Sequence, residues 1–190
     1  MTEKTTLSPY WHWGGALSSE LCDLILREGA TLERMSGHVG GAVGEGGHVD
    51  VKLRNSTISW LPTNHWLEGV LYNHGLYACE QAGWGFAMGR PEPVQFTRYS
   101  PGEFYDWHSD SDVLTAAVAI RKVSVIALLN STSEFEGGAF ELKSGIVTNT
   151  VDLKRGDILA FPSLLQHRVC PVTSGERISA VCWIMGPRTL

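Results

Sequence analysis

The stretch Pro93-Val-Gln-Phe-Thr-Arg-Tyr-Ser-Pro-Gly-Glu-Phe-Tyr-Asp-Trp-His108 decides how the chain is to be read. Two runs rich in β-branched and aromatic residues, 94–99 and 104–108, flank Ser100-Pro-Gly, where proline presets one φ and glycine tolerates the reversed one. From Pro93 onward the same grammar recurs. Residues 123–129, 139–142, 148–153, 158–161, 167–170 and 178–184 read as further short strands, separated by Glu136-Gly-Gly, Arg155-Gly-Asp, Phe161-Pro-Ser and Thr173-Ser-Gly. No helix-length segment lies between them, so a double-sheet jelly roll is expected rather than an alternating α/β fold.

Before Pro93 the pattern is helical. Residues 18–29 place Leu21, Leu24, Ile25 and the aliphatic part of Glu28 at helical spacing, with serines ahead as N-caps and Gly29 as C-cap. A second amphipathic helix is expected over 64–82, between Pro62 and Gly83, on Leu67, Val70, Leu71, Tyr77 and Ala78. Between the two, residues 35–47 hold six glycines in thirteen positions, a composition for a mobile loop or lid, and lead into a strand expected at 49–53. The expectation is one domain over 1–190, with 1–92 as helical support and pocket loop and 93–190 as the core. The fold class is mainly β with N-terminal helices: a double-stranded β-helix (jelly roll, cupin-like) packed on supporting helices.

Composition narrows the function classes. A chain of 190 residues, 43% hydrophobic and 18% charged, suits one globular domain. No apolar run reaches the roughly 20 residues that cross a bilayer. A net charge of -5 gives no general attraction to phosphate backbones, so a peptide or small molecule is the expected partner ahead of nucleic acid. The opening Met-Thr-Glu-Lys-Thr-Thr lacks the layout of a secretory signal, and Cys22, Cys79, Cys170 and Cys182 form no CxxC pair. A cytoplasmic protein with reduced thiols is therefore expected.

His108-Ser-Asp110 directly follows a strand, and extended backbone sends residues i and i+2 to one side, so both side chains can reach one ion. His167, on a later strand, completes a set of two histidines and one carboxylate, which leaves one face of a metal open and is associated with non-haem Fe(II) oxygenases. Singly, each feature is ordinary: such triplets are commonly surface turns, and lone histidines are commonly structural. Arg177, in Gly175-Glu-Arg-Ile-Ser179, changes the balance. Its planar guanidinium suits a carboxylate through two parallel hydrogen bonds, and Ser179 on the same strand face adds a third. His12, His38, His48, His65 and His74 have no carboxylate at ligand spacing and read as structural or exposed.

In this order the motifs resemble a known family. Residues 95–185 resemble the prolyl 4-hydroxylase-like branch of the Fe(II)/2-oxoglutarate dioxygenases, including the bacterial PKHD-type hydroxylases. The similarity lies in Tyr99-Ser-Pro-Gly-Glu-Phe-Tyr-Asp-Trp-His-Ser-Asp110, Glu136-Gly-Gly-Ala-Phe-Glu-Leu142, Gly156-Asp-Ile-Leu-Ala-Phe-Pro162 and His167-Arg-Val-Cys-Pro-Val-Thr-Ser-Gly-Glu-Arg177. The resemblance implies that His108, Asp110 and His167 hold Fe(II), that Arg177 and Tyr99 bind 2-oxoglutarate, and that Tyr105 takes the family's other aromatic position near the pocket. It further implies O2 as cosubstrate, ascorbate as reductant, and oxidative decarboxylation coupled to C-H hydroxylation. The expected substrate is a peptidyl, prolyl-type or other amino-acid side chain, with a free small molecule next. One departure stands out: some relatives supply a further tyrosine from the strand after the HxD, where this chain reads Val123-Ser-Val-Ile-Ala-Leu-Leu129. Arg54, Trp107 and Trp183 are candidates to line or cover the pocket. A different class, a cupin-like metal- or ligand-binding module without turnover, keeps the strands and histidines but has no use for Arg177.

Overall fold

Period-two alternation becomes short strands along the chain in the computed structural model, which describes residues 7–37, 39, 49–111 and 117–188. In chain order the elements are β1 (Trp11–Trp13), α1 (Ser19–Ala30), β2 (Met35–Ser36), β3 (Arg54–Asn55), β4 (Thr57–Trp60) and α2 (Trp66–Gln81). Then come β5 (Gln95–Tyr99), β6 (Phe104–His108), β7 (Ala119–Leu128), β8 (Phe135–Gly137) and β9 (Phe140–Ser144). The last are β10 (Val147–Val151), β11 (Ile158–Pro162), β12 (His167–Val169), β13 (Val172–Gly175) and β14 (Arg177–Pro187). A seven-stranded sheet of order β1-β11-β7-β14-β5-β4-β2 lies against a five-stranded sheet of order β10-β9-β12-β6-β3, with β13-β8 as a separate ribbon. The fold is mainly β, a jelly roll carried on two helices.

The larger sheet buries both faces. Outward, Val123, Val125 and Ala127 of β7, Ile158 and Ala160 of β11, and Ala180, Cys182 and Ile184 of β14 pack with Ile25 of α1 and Leu67, Leu71 and Ala78 of α2. Inward, Ile126 and Leu128 of β7 and Leu159 and Phe161 of β11 meet Phe140, Leu142 and Val169 of the smaller sheet. Alternation along each strand thus feeds two cores, one under the helices and one between the sheets.

The helices differ in detail from their sequence-based expectations. Ser18 caps α1, its hydroxyl accepting from Leu21 N–H at 3.3 Å, but Thr31 rather than Gly29 is the C-cap. Gly29 sits within the last turn because a Cβ there would enter the Phe96 ring. The buried stripe of α1 is Cys22, Ile25 and Gly29, leaving Leu21 exposed. In α2, capped by His65, the stripe is Leu67, Leu71, Gly75, Ala78 and Cys79, whereas Tyr77 lies at the surface beside Trp11 and Trp13.

The first 92 residues also supply four strands to the two sheets. The strand expected at 49–53 is instead a turn over 51–53: Asp50 accepts from Leu53 and Arg54 N–H through its carbonyl and from Lys52 N–H through its side chain. Pairing starts only at Arg54, opposite Tyr105. Within the glycine-rich segment, Met35 and Ser36 pair with Ile58 and Thr57, whereas residues 38 and 40–47 lie outside the described residues, and with them most of the expected lid. His38 and His48 lie outside them as well. The other three histidines read as structural are paired: His12 with Asp157, His65 with Glu28, and His74 with the Val70 carbonyl. All four cysteines are free thiols. Among the described residues no helix is long and apolar enough to cross a membrane.

Candidate active site

β6 and β12 are neighbours in the smaller sheet, and their register sets His108 directly opposite His167. The register then shifts before Val169, a bulge of the kind that re-aims side chains beside functional sites. β6 ends at His108, so extended backbone does not carry through to Asp110. Asp110 instead sits in a bend, its N–H donating to the Ser163 carbonyl at 2.9 Å, and that contact turns the carboxylate toward the two imidazoles. Ligand atoms of His108, Asp110 and His167 all lie within 4.8 Å of one another.

Both rings are held in one tautomer. His108 Nδ1–H donates to the Asp106 carbonyl at 2.7 Å and His167 Nδ1–H to the Leu165 carbonyl at 3.0 Å, which leaves each Nε2 lone pair free. Those Nε2 atoms stand 3.5 Å and 3.3 Å from the Asp110 carboxylate oxygens. Donors bound at right angles to an ion at about 2.1 Å lie about 3 Å apart, so two imidazole nitrogens and one carboxylate at these separations fit a divalent first-row ion. Burial, reinforced by neighbouring His167, pushes the His108 imidazole down to about 4, against the pull of Asp110, so the ring is neutral at neutral pH. Burial alone would raise the Asp110 carboxyl. Positive charge at the ring nitrogens, His167 first, outweighs it, so wherever Nε2 carries a proton or gives its place to a cation the Asp110 carboxyl stays well below the usual carboxylate range. Asp110 also accepts a 2.7 Å hydrogen bond from Ser124, whose hydroxyl lies 2.8 Å from that of Ser163.

Arg177 opens β14 opposite Tyr99 and is 2% exposed. Its Nη1 donates to Ser179 Oγ at 3.3 Å, its guanidinium lies 5.8 Å from the Tyr99 ring centroid, and no carboxylate among the described residues pairs with it. Burial lowers its pKa, opposed by Tyr99, but a guanidinium stays charged at any physiological pH. An unneutralised buried charge is costly. Further along the strand, Trp183 lies opposite Ser124. Its indole Nε1–H is buried without a hydrogen-bond acceptor among the described residues, while Arg121, clamped by Glu92 at 2.6 Å and 2.7 Å, lies 3.9 Å over its ring.

One cavity between the sheets is lined by every residue named from the sequence except Trp107: the three donors, then Tyr99, Arg177 and Ser179, then Tyr105, Arg54 and Trp183. Tyr105 stacks on His108, with ring centroids 3.3 Å apart and planes 6° apart. Arg54 lies 4.6 Å over Tyr105 and donates to Ser56 and Gln95, each at 2.8 Å. Trp107 points the other way, as strand alternation next to His108 requires, with Lys143 and Arg168 at 4.0 Å and 4.7 Å from its ring centroid. Ser124, Ser163, Arg121 and Glu92 were not singled out from the sequence. The signal for Ser124 was a lone hydroxyl inside the apolar run 123–129.

A family profile described as the 2OG-Fe(II) oxygenase superfamily matches residues 94–185, the span holding eight of the nine cavity residues named above and omitting Arg54. Residues 94–185 are thus similar to the 2OG-Fe(II) oxygenase superfamily. A PKHD-type hydroxylase of Alteromonas mediterranea is 33% identical over 96 residues, 48% of this chain and 42% of that protein. One from Xylella fastidiosa is 34% identical over 103 residues, 50% and 45% of the two chains. The matches thus span less than half of these curated relatives. Among solved structures, a collagen prolyl hydroxylase from Paramecium bursaria Chlorella virus-1, in complex with 2OG, shares the fold with a TM-score of 0.70 at 23% identity, covering 94% of this chain and 97% of that one. A Trichoplax adhaerens prolyl hydroxylase bound to a hypoxia inducible factor peptide fragment gives 0.74 at 16% identity, covering 93% and 83%.

Proposed function

We propose that the chain is an Fe(II)- and 2-oxoglutarate-dependent dioxygenase that hydroxylates a C-H bond of a peptidyl side chain, prolyl-type first and a small molecule second. The observation that carries the reading is the division of one cavity: three metal-type donors toward one end, and toward the other a buried guanidinium without a carboxylate partner among the described residues. A dicarboxylate that also chelates a metal satisfies both at once. Bound Fe(II), with 2-oxoglutarate and O2, supplies the oxidation, which forms succinate and CO2 and places one oxygen atom in the substrate, with ascorbate as the expected reductant.

The chain's own residues do the rest. His108, Asp110 and His167 hold the metal through Nε2, carboxylate and Nε2, and Ser124 fixes the carboxylate's orientation through its hydroxyl. Arg177 takes the distal carboxylate, Ser179 steadies the guanidinium, and Tyr99 closes that end. Tyr105, stacked on His108, together with Arg54 and Trp183 walls the substrate side, where the indole N–H awaits an oxygen acceptor. The Trichoplax structure's peptide is the support for a peptide substrate. The test is succinate formation from 2-oxoglutarate with Fe(II), followed by a screen of proline-containing peptides and small metabolites for a gain of one oxygen. A chain that binds iron yet yields no succinate under any of these conditions would be a cupin-like binding module instead.

A further inference from the structure

Arg177 reaches its place past a backbone that carries no side chain. Gly138, after the last residue of β8, has φ +62°, and a Cβ built on it would stand 2.9 Å from Arg177 Cδ and 3.0 Å from Val172 Cγ2. The glycine is pinned there by its N–H, which donates to the Pro171 carbonyl at 3.0 Å. Gly138 borders a second cavity of about 350 Å³, lined also by Thr132, Phe135, Thr150 and Arg177, and takes no part in the cavity with the metal-type donors. Arg177 is therefore a wall between two spaces, and Gly138 is what its stem rests on from the outer one.

We propose that Gly138 is a positioning residue for Arg177: the missing side chain sets how far the guanidinium stands from the metal end, and hence how well 2-oxoglutarate spans the cavity. The inference rests on the assignment of Arg177 to the distal carboxylate. Any carbon at position 138 drives the stem off its seat, because a mid-stem atom cannot be swung aside as a flexible tip can. The backbone gives a matched control. Gly145, in the β9–β10 turn, has φ +63° and open space around the same hypothetical Cβ, so Gly145→Ala carries the same backbone strain without touching Arg177.

The test is calorimetric binding of 2-oxoglutarate to the whole chain loaded with Mn(II), a redox-silent stand-in, with Mn(II) affinity and thermal melts recorded alongside. Gly138→Ala should weaken 2-oxoglutarate on the order of tenfold at unchanged Mn(II) affinity, while Gly145→Ala stays within about twofold of the parent. In an Arg177→Ala background, Gly138→Ala should add no further loss, because its effect passes through the arginine. Should Gly138→Ala fail to fold, Gly138→Ala/Val172→Ala, which removes the second close contact, is read against Val172→Ala in the same way. Parent-like binding by the variant, or an equal further loss in the Arg177→Ala background, overturns the proposal. If Arg177→Ala itself binds like the parent, the arginine assignment has failed and this inference with it. If only Gly138→Ala is silent, the inference alone falls.

Discussion

β14 shows two different proteins on its two faces. Toward the helices, Ala180, Cys182 and Ile184 are fully buried, and Ile184 fills the space that a Cβ on Gly75 of α2 would need. Burial pushes the Cys182 thiol up to about 12, as expected of an inert core cysteine. Toward the cavity, the same strand presents Arg177 without a carboxylate, Ser179, Val181 and then Trp183 with an unused N–H. One face is complete within the chain. The other holds a guanidinium without a carboxylate and an indole N–H without an acceptor among the described residues, so substitutions on the two faces should separate stability from chemistry.

The largest effects belong at the metal end of the cavity face. His108→Ala, Asp110→Ala and His167→Ala should each reduce bound iron and succinate formation to background, since a three-donor site has none to spare. Metal analysis after anaerobic loading decides it, and three variants that bind iron like the parent would sink the triad. At the other end, Arg177→Ala should leave iron content alone while raising the KM for 2-oxoglutarate roughly a hundredfold, two charge-assisted hydrogen bonds being worth about 1.5–3 kcal/mol each at most. Arg177→Lys should recover part of this, because charge survives while the planar fork does not. An unchanged KM would detach the cavity's two ends from one another.

That division was partly legible in the sequence. β6 and the turn before it could be read because period, turn chemistry and length all lie within fifteen neighbouring residues. β8 and β13 could not, since three- and four-residue strands offer too few positions for a period, and each is defined by a partner far along the chain. The same holds for β1, β2, β3 and β4, hidden in what reads as a helical segment. At the site, His108, Asp110, His167 and Arg177 stood out because imidazoles, carboxylate and guanidinium carry uncommon chemistry in an apolar setting. Ser124 and Ser163 did not, because hydroxyls are common and their role depends on meeting Asp110 from two other segments.

On the helix face of β14, the expected outcome is the converse of Arg177. Ile184→Ala leaves a hole between β14 and α2, where deletions of this size cost about 2–5 kcal/mol. Denaturant unfolding should show that loss. The KM for 2-oxoglutarate and the iron content per folded molecule should stay at parent values, and a KM that rises with the lost stability would show that the two faces are not independent.

The smallest effect should come from Trp107, which tests the same contrast in the other sheet. It neighbours His108 in sequence but occupies the opposite face of β6, its ring in contact with the Lys143 ammonium and the Arg168 guanidinium. Arg168 is itself tied to Glu141 at 2.7 Å, so the indole completes a charged cluster outside the cavity. Each cation over a half-buried ring near the surface contributes on the order of 1 kcal/mol, and Trp107→Leu removes both contacts while keeping an apolar side chain on the strand. The expected result is a loss of about 1–2 kcal/mol in unfolding free energy, seen as a melting temperature lower by a few degrees, with kcat and both KM values within about twofold of the parent. A drop in kcat of tenfold or more at full iron occupancy would mean that the outer face of β6 sets the position of His108. The separation of faces seen in β14 would then not extend to the strand that carries the first metal-type donor.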